Sequence, residues 1–319
     1  MIYLITINYN NSGDTIECLK SLQAVRSTFN IIVIDNCSGK DDADALRRFV
    51  EEEQHGKSVS DQAGNSIFDD QIRLLLVMES RNLGFSGGNN HGIQLALEQD
   101  DFEGVVLLNN DTIVHPEFLN EIIRFRQGNK AADIIGGRIF LYQSKDILWY
   151  DGGNYNKRIG KPVHINENRN ISEVLAKDTP HETEFITGCL MFISKKCLET
   201  TGLLNEALFM YSEDLDYCIR AREKGLKLYQ VPTSVIWHKF SASSGGELSE
   251  FSAYWIIRNR FLVARWHASR FDQFSTFAYF LISRIPRFIK WGIQGHKGVI
   301  KAQLRGMIDG LRSHSHPNE

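Results

Sequence analysis

The chain alternates short apolar runs with stretches of helical periodicity, and several apolar runs break into amides and carboxylates. Residues 2–7 read as a buried strand that ends at Asn8, Tyr9, Asn10 and Asn11. Residues 31–34 end at Asp35 and Asn36, and residues 105–108 end at Asn109, Asn110 and Asp111. A strand over 72–77 leads into a glycine- and asparagine-rich string at 81–90. Helices are expected between these runs. One carries Ile16, Leu19 and Leu22 with Asp14 as its N-cap, one spans 42–53, and one spans 92–98. Continuous apolar strands separated by helices imply an α/β fold with a mainly parallel sheet flanked by helices. In such sheets ligands sit beyond the carboxyl ends of the strands, where this chain turns polar.

Further strands are expected over 133–141, 184–193 and 227–231, the last stopping before Pro232. A helix over 213–224 should stop at Gly225. Residues 54–70 form a polar excursion. From about residue 250 the pattern becomes aromatic and amphipathic, with Pro286 starting a new helix. The expected organisation is a catalytic domain at 1–248 and a helical appendix at 249–319. With 42% hydrophobic and 24% charged residues among 319, the chain can bury a sizeable core, which excludes a disordered chain. A net charge of -3 argues against nucleic acid as a partner. The five cysteines form no CxxC pair and are odd in number, which favours a reducing compartment over disulfides or structural zinc. With no signal-like N-terminus and no run of 18 apolar residues, a cytoplasmic protein without a transmembrane helix is expected.

Four strings can carry chemistry. Asn109-Asn110-Asp111 could hold a divalent ion already carried by a substrate diphosphate, since such ions take hard oxygen ligands. It could equally be a polar turn with Asp111 capping a helix. Glu213-Asp214-Leu215-Asp216 puts three acids at a helix start, which the helix dipole alone would favour. Crowded carboxylates also raise one another's pKa, which suits a general base. Asp216 points elsewhere and should pair with Arg220. His238 at a strand end is either structural or a second metal ligand, if it converges on Asp111. The string at 81–90 opens a helix, so its backbone N–H groups could face an anion, or it is a tight glycine turn.

Taken together the strings resemble the family 2 glycosyltransferases of the GT-A fold, nearest to the bacterial rhamnosyltransferase-like branch. They run TINYN at 6–10, VIDNCS at 33–38, RNLGFSGGNN at 81–90, LLNNDT at 107–112, TGCLMFISK at 187–195, FMYSEDLDYCIR at 209–220, VIWH at 235–238 and YWIIRN at 254–259. The resemblance implies that Asp35 and Asn36, with Thr6, Asn8 and Tyr9, line a nucleotide pocket. It places Asn82, Gly84 and Asn90, together with Phe85 and Gly88, beside the nucleotide and donor sugar. Asn110 and Asp111 fall in the family's metal-binding DxD, whose first position here is the amide Asn109. Asp111 and His238 would hold Mg²⁺ or Mn²⁺, Asp214 would be the general base, and Glu213 would orient the acceptor or the base. Trp149, Asp151, Gly153 and Arg258 fall where the branch places donor or acceptor contacts. The implied reaction is an inverting transfer from a nucleotide-diphosphate sugar, L-rhamnose from dTDP-rhamnose foremost and a UDP-hexose next. A nucleotidyltransferase would want a basic Gly-rich loop after the first strand, and an inactive carbohydrate-binding relative would not need the acids kept here.

Residues 256–312 hold eleven basic side chains and two acids, a local balance of +9 that leaves -12 elsewhere. Aromatics interleave with them. A basic, aromatic amphipathic helix can lie on an anionic membrane surface. A glycan or lipid-linked glycan acceptor would give that surface a purpose on the inner face of the plasma membrane. A homodimer contact is the competing use.

Overall fold

The computed structural model describes residues 1–53, 57–60, 73–174, 178–239 and 249–312. The N-terminal half runs β1 (Ile2–Asn8), α1 (Ser12–Leu22), β2 (Asn30–Asp35), α2 (Lys40–Arg48), β3 (Lys57–Ser60), β4 (Leu74–Met78), α3 (Gly84–Leu97), β5 (Gly104–Leu108), β6 (Thr112–Val114) and α4 (Phe118–Gly128). The chain continues through β7 (Ala132–Leu141), β8 (Ser144–Tyr150), β9 (Gly153–Asn156), β10 (Lys161–His164), β11 (His181–Glu182), β12 (Leu190–Ser194), α5 (Lys195–Thr201), α6 (Glu213–Glu223) and β13 (Lys227–His238). Three helices close it: α7 (Glu250–His267), α8 (Arg270–Ile293) and α9 (Lys297–Arg312).

One sheet organises the molecule, in the order β3-β4-β2-β1-β5-β12-β7-β13-β11, with β6 on β13 and β8 on β7. From β3 to β5 every pairing is parallel. Among them β1, β2, β4 and β5 are mostly buried, in keeping with their Ile-, Leu- and Val-rich runs. β12 then enters antiparallel to both β5 and β7, so the sheet is mixed, and β13 pairs with β7 in parallel beyond it. β9 and β10 form a separate antiparallel hairpin.

Several local expectations are corrected. Asp14 lies inside the first turn of α1 and accepts from Asn11 Nδ2 at 2.9 Å, so the N-cap position is Asn11. α2 ends at Arg48 and passes into a π turn at Phe49–Glu53. Within the excursion at 54–70 only β3 is described, and residue 72 of the third expected strand also lies outside the described residues. Only Leu190–Ser194 of the expected 184–193 strand pairs in the sheet, because Phe185 turns aside to bridge Gly153. Pro232 does not end β13. The register against β7 shifts between Val231 and Val235, and a bulge there accommodates a residue with no N–H. Pro286 sits inside α8, where it and Ile282, whose carbonyl loses its donor, are both exposed to water. Gly225, with φ of +77°, does close α6.

The expected boundary at 248 falls in residues 240–248, outside the described residues. Beyond it, Leu262 and Val263 of α7 join the main core, while Ile257, Phe261 and Phe280 form a second small core between α7 and α8. α7 is therefore packed as part of the catalytic body, and α8 and α9 build outward from it.

Candidate active site

The sheet brings Asp111 and His238 together. β5 stops at Leu108, the chain turns through Asn109–Asp111, and β6 then pairs with the end of β13, with His238 opposite Thr112. Lys239 N–H donates to the Asp111 carbonyl at 2.8 Å, which locks the two ends. The Asp111 Oδ1 and His238 Nε2 atoms are 3.0 Å apart, and both residues are buried. Two ligands on adjacent corners of an octahedron with bonds of ~2.1 Å stand ~3.0 Å apart, so the pair suits a small divalent cation. Among the described residues no third carboxylate, imidazole or thiolate joins them. Trp149 forms the adjoining wall, its ring 4.8 Å from that of His238 and 5.0 Å from that of His164.

The ends of β1 and β2 form a second polar cluster. The Asn8 carboxamide donates to Asp35 Oδ1 and Asp42 Oδ2, both at 2.8 Å, and accepts from Thr15 Oγ1 at 2.8 Å. Asn110 Nδ2 donates to that same hydroxyl at 2.8 Å, so the β1 and β5 ends share one network. Asp35 Oδ2 accepts the Ser38 N–H at 3.1 Å. Thr6 is fully buried below this network, and Tyr9 stands exposed beyond it.

The string at 81–90 is mostly helix. α3 begins at Gly84, whose φ of +70° needs a glycine, and Phe85 to Asn90 lie in its first two turns. Asn36 fastens this start, accepting from Leu83 N–H at 2.8 Å and donating to Asn82 Oδ1 and the Gly84 carbonyl at 3.0 Å. Gly88 packs so closely on β1 that a Cβ would lie 3.0 Å from Ile7. Asn90 faces away from the strand ends and holds Leu204 and Glu206.

Glu213 and Asp214 open α6 after a strained turn in which Phe209, Tyr211 and Ser212 all have φ between 56° and 70°. The strain is held from α7. Asn259 Nδ2 donates to the carbonyls of Leu208, Met210 and Tyr211 at 2.7–2.8 Å, and Arg258 Nη1 donates to that of Ala207 at 2.9 Å. Phe209 stacks on Trp255 at 4.9 Å and presses on Gly84. The turn thus lies between α3 and α7. Asp214 Oδ2 accepts the Gly188 N–H at 2.9 Å, and Oδ1 accepts its neighbour's, Leu215, at 2.8 Å. The residue after Gly188, Cys189, accepts from Asn109 N–H at 3.1 Å, which sets Asp214 beside the Asp111 turn. Phe85 lies over Gly188 in the same corner.

Burial pushes the Asp214 carboxyl above its ordinary value, against the donated N–H groups and the His164 charge. Glu213 is pushed well above its ordinary value by burial first and by the Asp214 and Asp216 charges next. Its Oε2 is buried with no partner among the described residues. Asp216 pairs with Arg220 Nε at 2.8 Å, as its spacing predicts, and also with His267 Nε2 at 2.8 Å.

The remaining site candidates make these contacts within the fold. Asp151 forms a buried ion pair with Arg138 at 2.9 Å, and Gly153 leaves room for Phe185. Arg258 is engaged by the turn it braces. Sequence reasoning missed His164, which has no motif and reaches the site through the β9–β10 hairpin. It also missed Asn259 as a clamp, although the segment containing it stood out.

Residues 2–260 match the protein family described as glycosyltransferase like family 2. The chain is 26% identical over 265 residues to the low-salt glycan biosynthesis hexosyltransferase Agl10 of Haloferax volcanii, covering 82% of this chain and 74% of that protein. It is 23% identical over 201 residues to the dTDP-rhamnosyl transferase RfbF of Shigella flexneri, covering 60% of this chain and 64% of that one. The mannosyltransferase PcManGT from Pyrobaculum calidifontis, solved with GDP-Man and Mn²⁺, superposes with a TM-score of 0.55 at 14% identity, covering 99% of this chain and 76% of its own. That likeness shows the shared GT-A fold.

Proposed function

Because the chain belongs to glycosyltransferase family 2, we propose that it transfers a sugar with inversion from a nucleotide-diphosphate donor to a glycan or lipid-linked glycan. L-Rhamnose from dTDP-rhamnose is the first reading, supported by the likeness to the dTDP-rhamnosyl transferase RfbF, and a UDP-hexose is the second, in line with the hexosyltransferase Agl10. The observation that carries the reading is the link Asp214–Gly188–Cys189–Asn109, which sets a carboxylate of raised pKa beside the Asp111–His238 pair.

In this reading the polar ends of β1 and β2, with Tyr9 outside them, receive the nucleotide base. Asp111 and His238 would hold Mg²⁺ or Mn²⁺, which when bound would supply positive charge to offset that of the leaving diphosphate. Asp214 accepts the proton of the acceptor hydroxyl as that oxygen attacks from the face opposite the diphosphate. Its raised pKa brings the base nearer the working pH, where proton transfer contributes ~10²–10⁴-fold. Glu213, whose carboxyl burial pushes well above its ordinary value, can when protonated donate a hydrogen bond toward Asp214 or the acceptor. Trp149 and Phe85 shield the reacting centre from water.

The test is a screen of nucleotide sugars by thermal shift and by release of nucleoside diphosphate, with and without Mn²⁺. dTDP-rhamnose should give the largest stabilisation and turnover, and only with the metal. Failure of every nucleotide sugar to bind in Mn²⁺ would overturn the reading.

A further inference from the structure

Arg260 on α7 is 8% exposed, and its Nε and Nη1 are buried with no partner among the described residues. Arg284, equally buried on α8, and the exposed Arg287 one turn on add like charge, so burial and these neighbours push the Arg260 guanidinium down to about 10. The Tyr155 hydroxyl on β9, pushed up to about 12 by burial first and by the Asp272 charge next, against the Arg260 charge, is also buried without a partner among the described residues. The β9–β10 turn closes on the same place. A Cβ at Gly160 would lie 3.3 Å from Arg260 Cγ and 2.8 Å from Thr276 of α8. Buried donors are normally satisfied, so the open Nε and Nη1 of Arg260 call for an acceptor. Guanidinium donors match the oxygens of phosphate and carboxylate groups in paired geometry.

We propose that Arg260, Arg287 and Tyr155 form a binding site for a phosphate or diphosphate group at the junction of α7, α8 and the β9–β10 turn. The site is separate from the Asp111–His238 pair. It extends the acceptor side of the proposed transfer, yet it is testable without turnover. The other face of α8 indicates how such a group could arrive. Phe271, Phe274, Ile282, Ile285, Ile289 and Ile293 are all exposed there at helical spacing, and Arg270 and Lys290 share the helix. An apolar stripe with basic neighbours is complementary to an anionic lipid surface.

The experiment uses the full chain in EDTA, so that metal-dependent donor binding is silent. Inorganic pyrophosphate should raise the melting temperature of the wild type. Arg260→Gln should abolish the shift, Arg287→Gln should weaken the apparent affinity several-fold, and Asp111→Ala should retain it. Flotation with phosphatidylcholine vesicles, with and without polyprenyl phosphate, distinguishes the source. Arg260-dependent capture identifies a lipid phosphate, and a pyrophosphate response without capture identifies a free anion. Arg287 is exposed, so its variant carries the test if Arg260→Gln does not fold. An equal shift in both arginine variants, or no response of the wild type to either ligand, would overturn the proposal. So would a shift lost in Asp111→Ala but kept in Arg260→Gln.

Discussion

Replacing Asn259 with alanine removes a fully buried carboxamide that donates to three carbonyls of the turn before α6. The NH₂ has two hydrogens, so the loss is two to three hydrogen bonds shared over three acceptors. At about 0.5–1.5 kcal/mol each, with carbonyls left unsatisfied, the variant should lose about 2–3 kcal/mol of stability. The same bonds hold Phe209, Tyr211 and Ser212 in left-handed conformations, and these set the start of the helix carrying Asp214. A relaxed turn moves the base, and a displacement on the order of 1 Å costs on the order of 10²-fold in rate. Urea unfolding measures the first effect, and nucleotide release well below the melting temperature measures the second. Donor affinity should change little, because the β1, β2 and β5 ends are untouched. A variant with wild-type turnover despite lowered stability would refute the view that Asn259 positions the base.

Three further outcomes follow from the same geometry. Asp111→Ala should weaken nucleotide-sugar binding in Mn²⁺; equal calorimetric affinities in excess Mn²⁺ would count against the metal assignment. Gly84→Ala places a Cβ 2.5 Å from the Phe209 carbonyl at a φ of +70°, and urea unfolding should show a loss of about 2–4 kcal/mol. The third concerns Glu213, whose folded pKa is raised by burial. Its carboxyl favours the folded state below the ordinary value of 4.5, and that contribution is lost as pH rises toward the folded value. Glu213→Gln does not titrate, so relative to wild type it should gain stability progressively above pH 4.5. Unfolding curves with no pH dependence in that difference would contradict the burial argument.

What was legible in the sequence follows from what periodicity can encode. The strands ending at Asn8, Asp35 and Leu108 read correctly because a strand buried on both faces has to be continuously apolar and has to stop where the chain meets water. The pairing of Asp216 with Arg220 is local, four residues along one helix, and read correctly for that reason. The parallel half of the sheet was legible, but the reversal at β12 was not. Phe185 and Ile186 are as apolar as a strand, yet they are buried against β9 and α6. The prolines misled because a bulge in β13 and a solvent-facing carbonyl in α8 each remove the cost of the missing N–H. Asn259 and His164 were beyond reach, since their roles depend on carbonyls and rings distant in sequence. Arg258 was visible as a basic residue in a marked segment, but its partner is the carbonyl of Ala207.

The central claim is that Asp214 takes the acceptor proton. Asp214→Asn keeps the shape, and its carboxamide oxygen can still accept one of the N–H bonds from Gly188 and Leu215. Calorimetric donor binding in Mn²⁺ should match wild type, while transfer falls by ~10²–10⁴-fold. Near-normal turnover in that variant, with donor binding intact, would contradict the account.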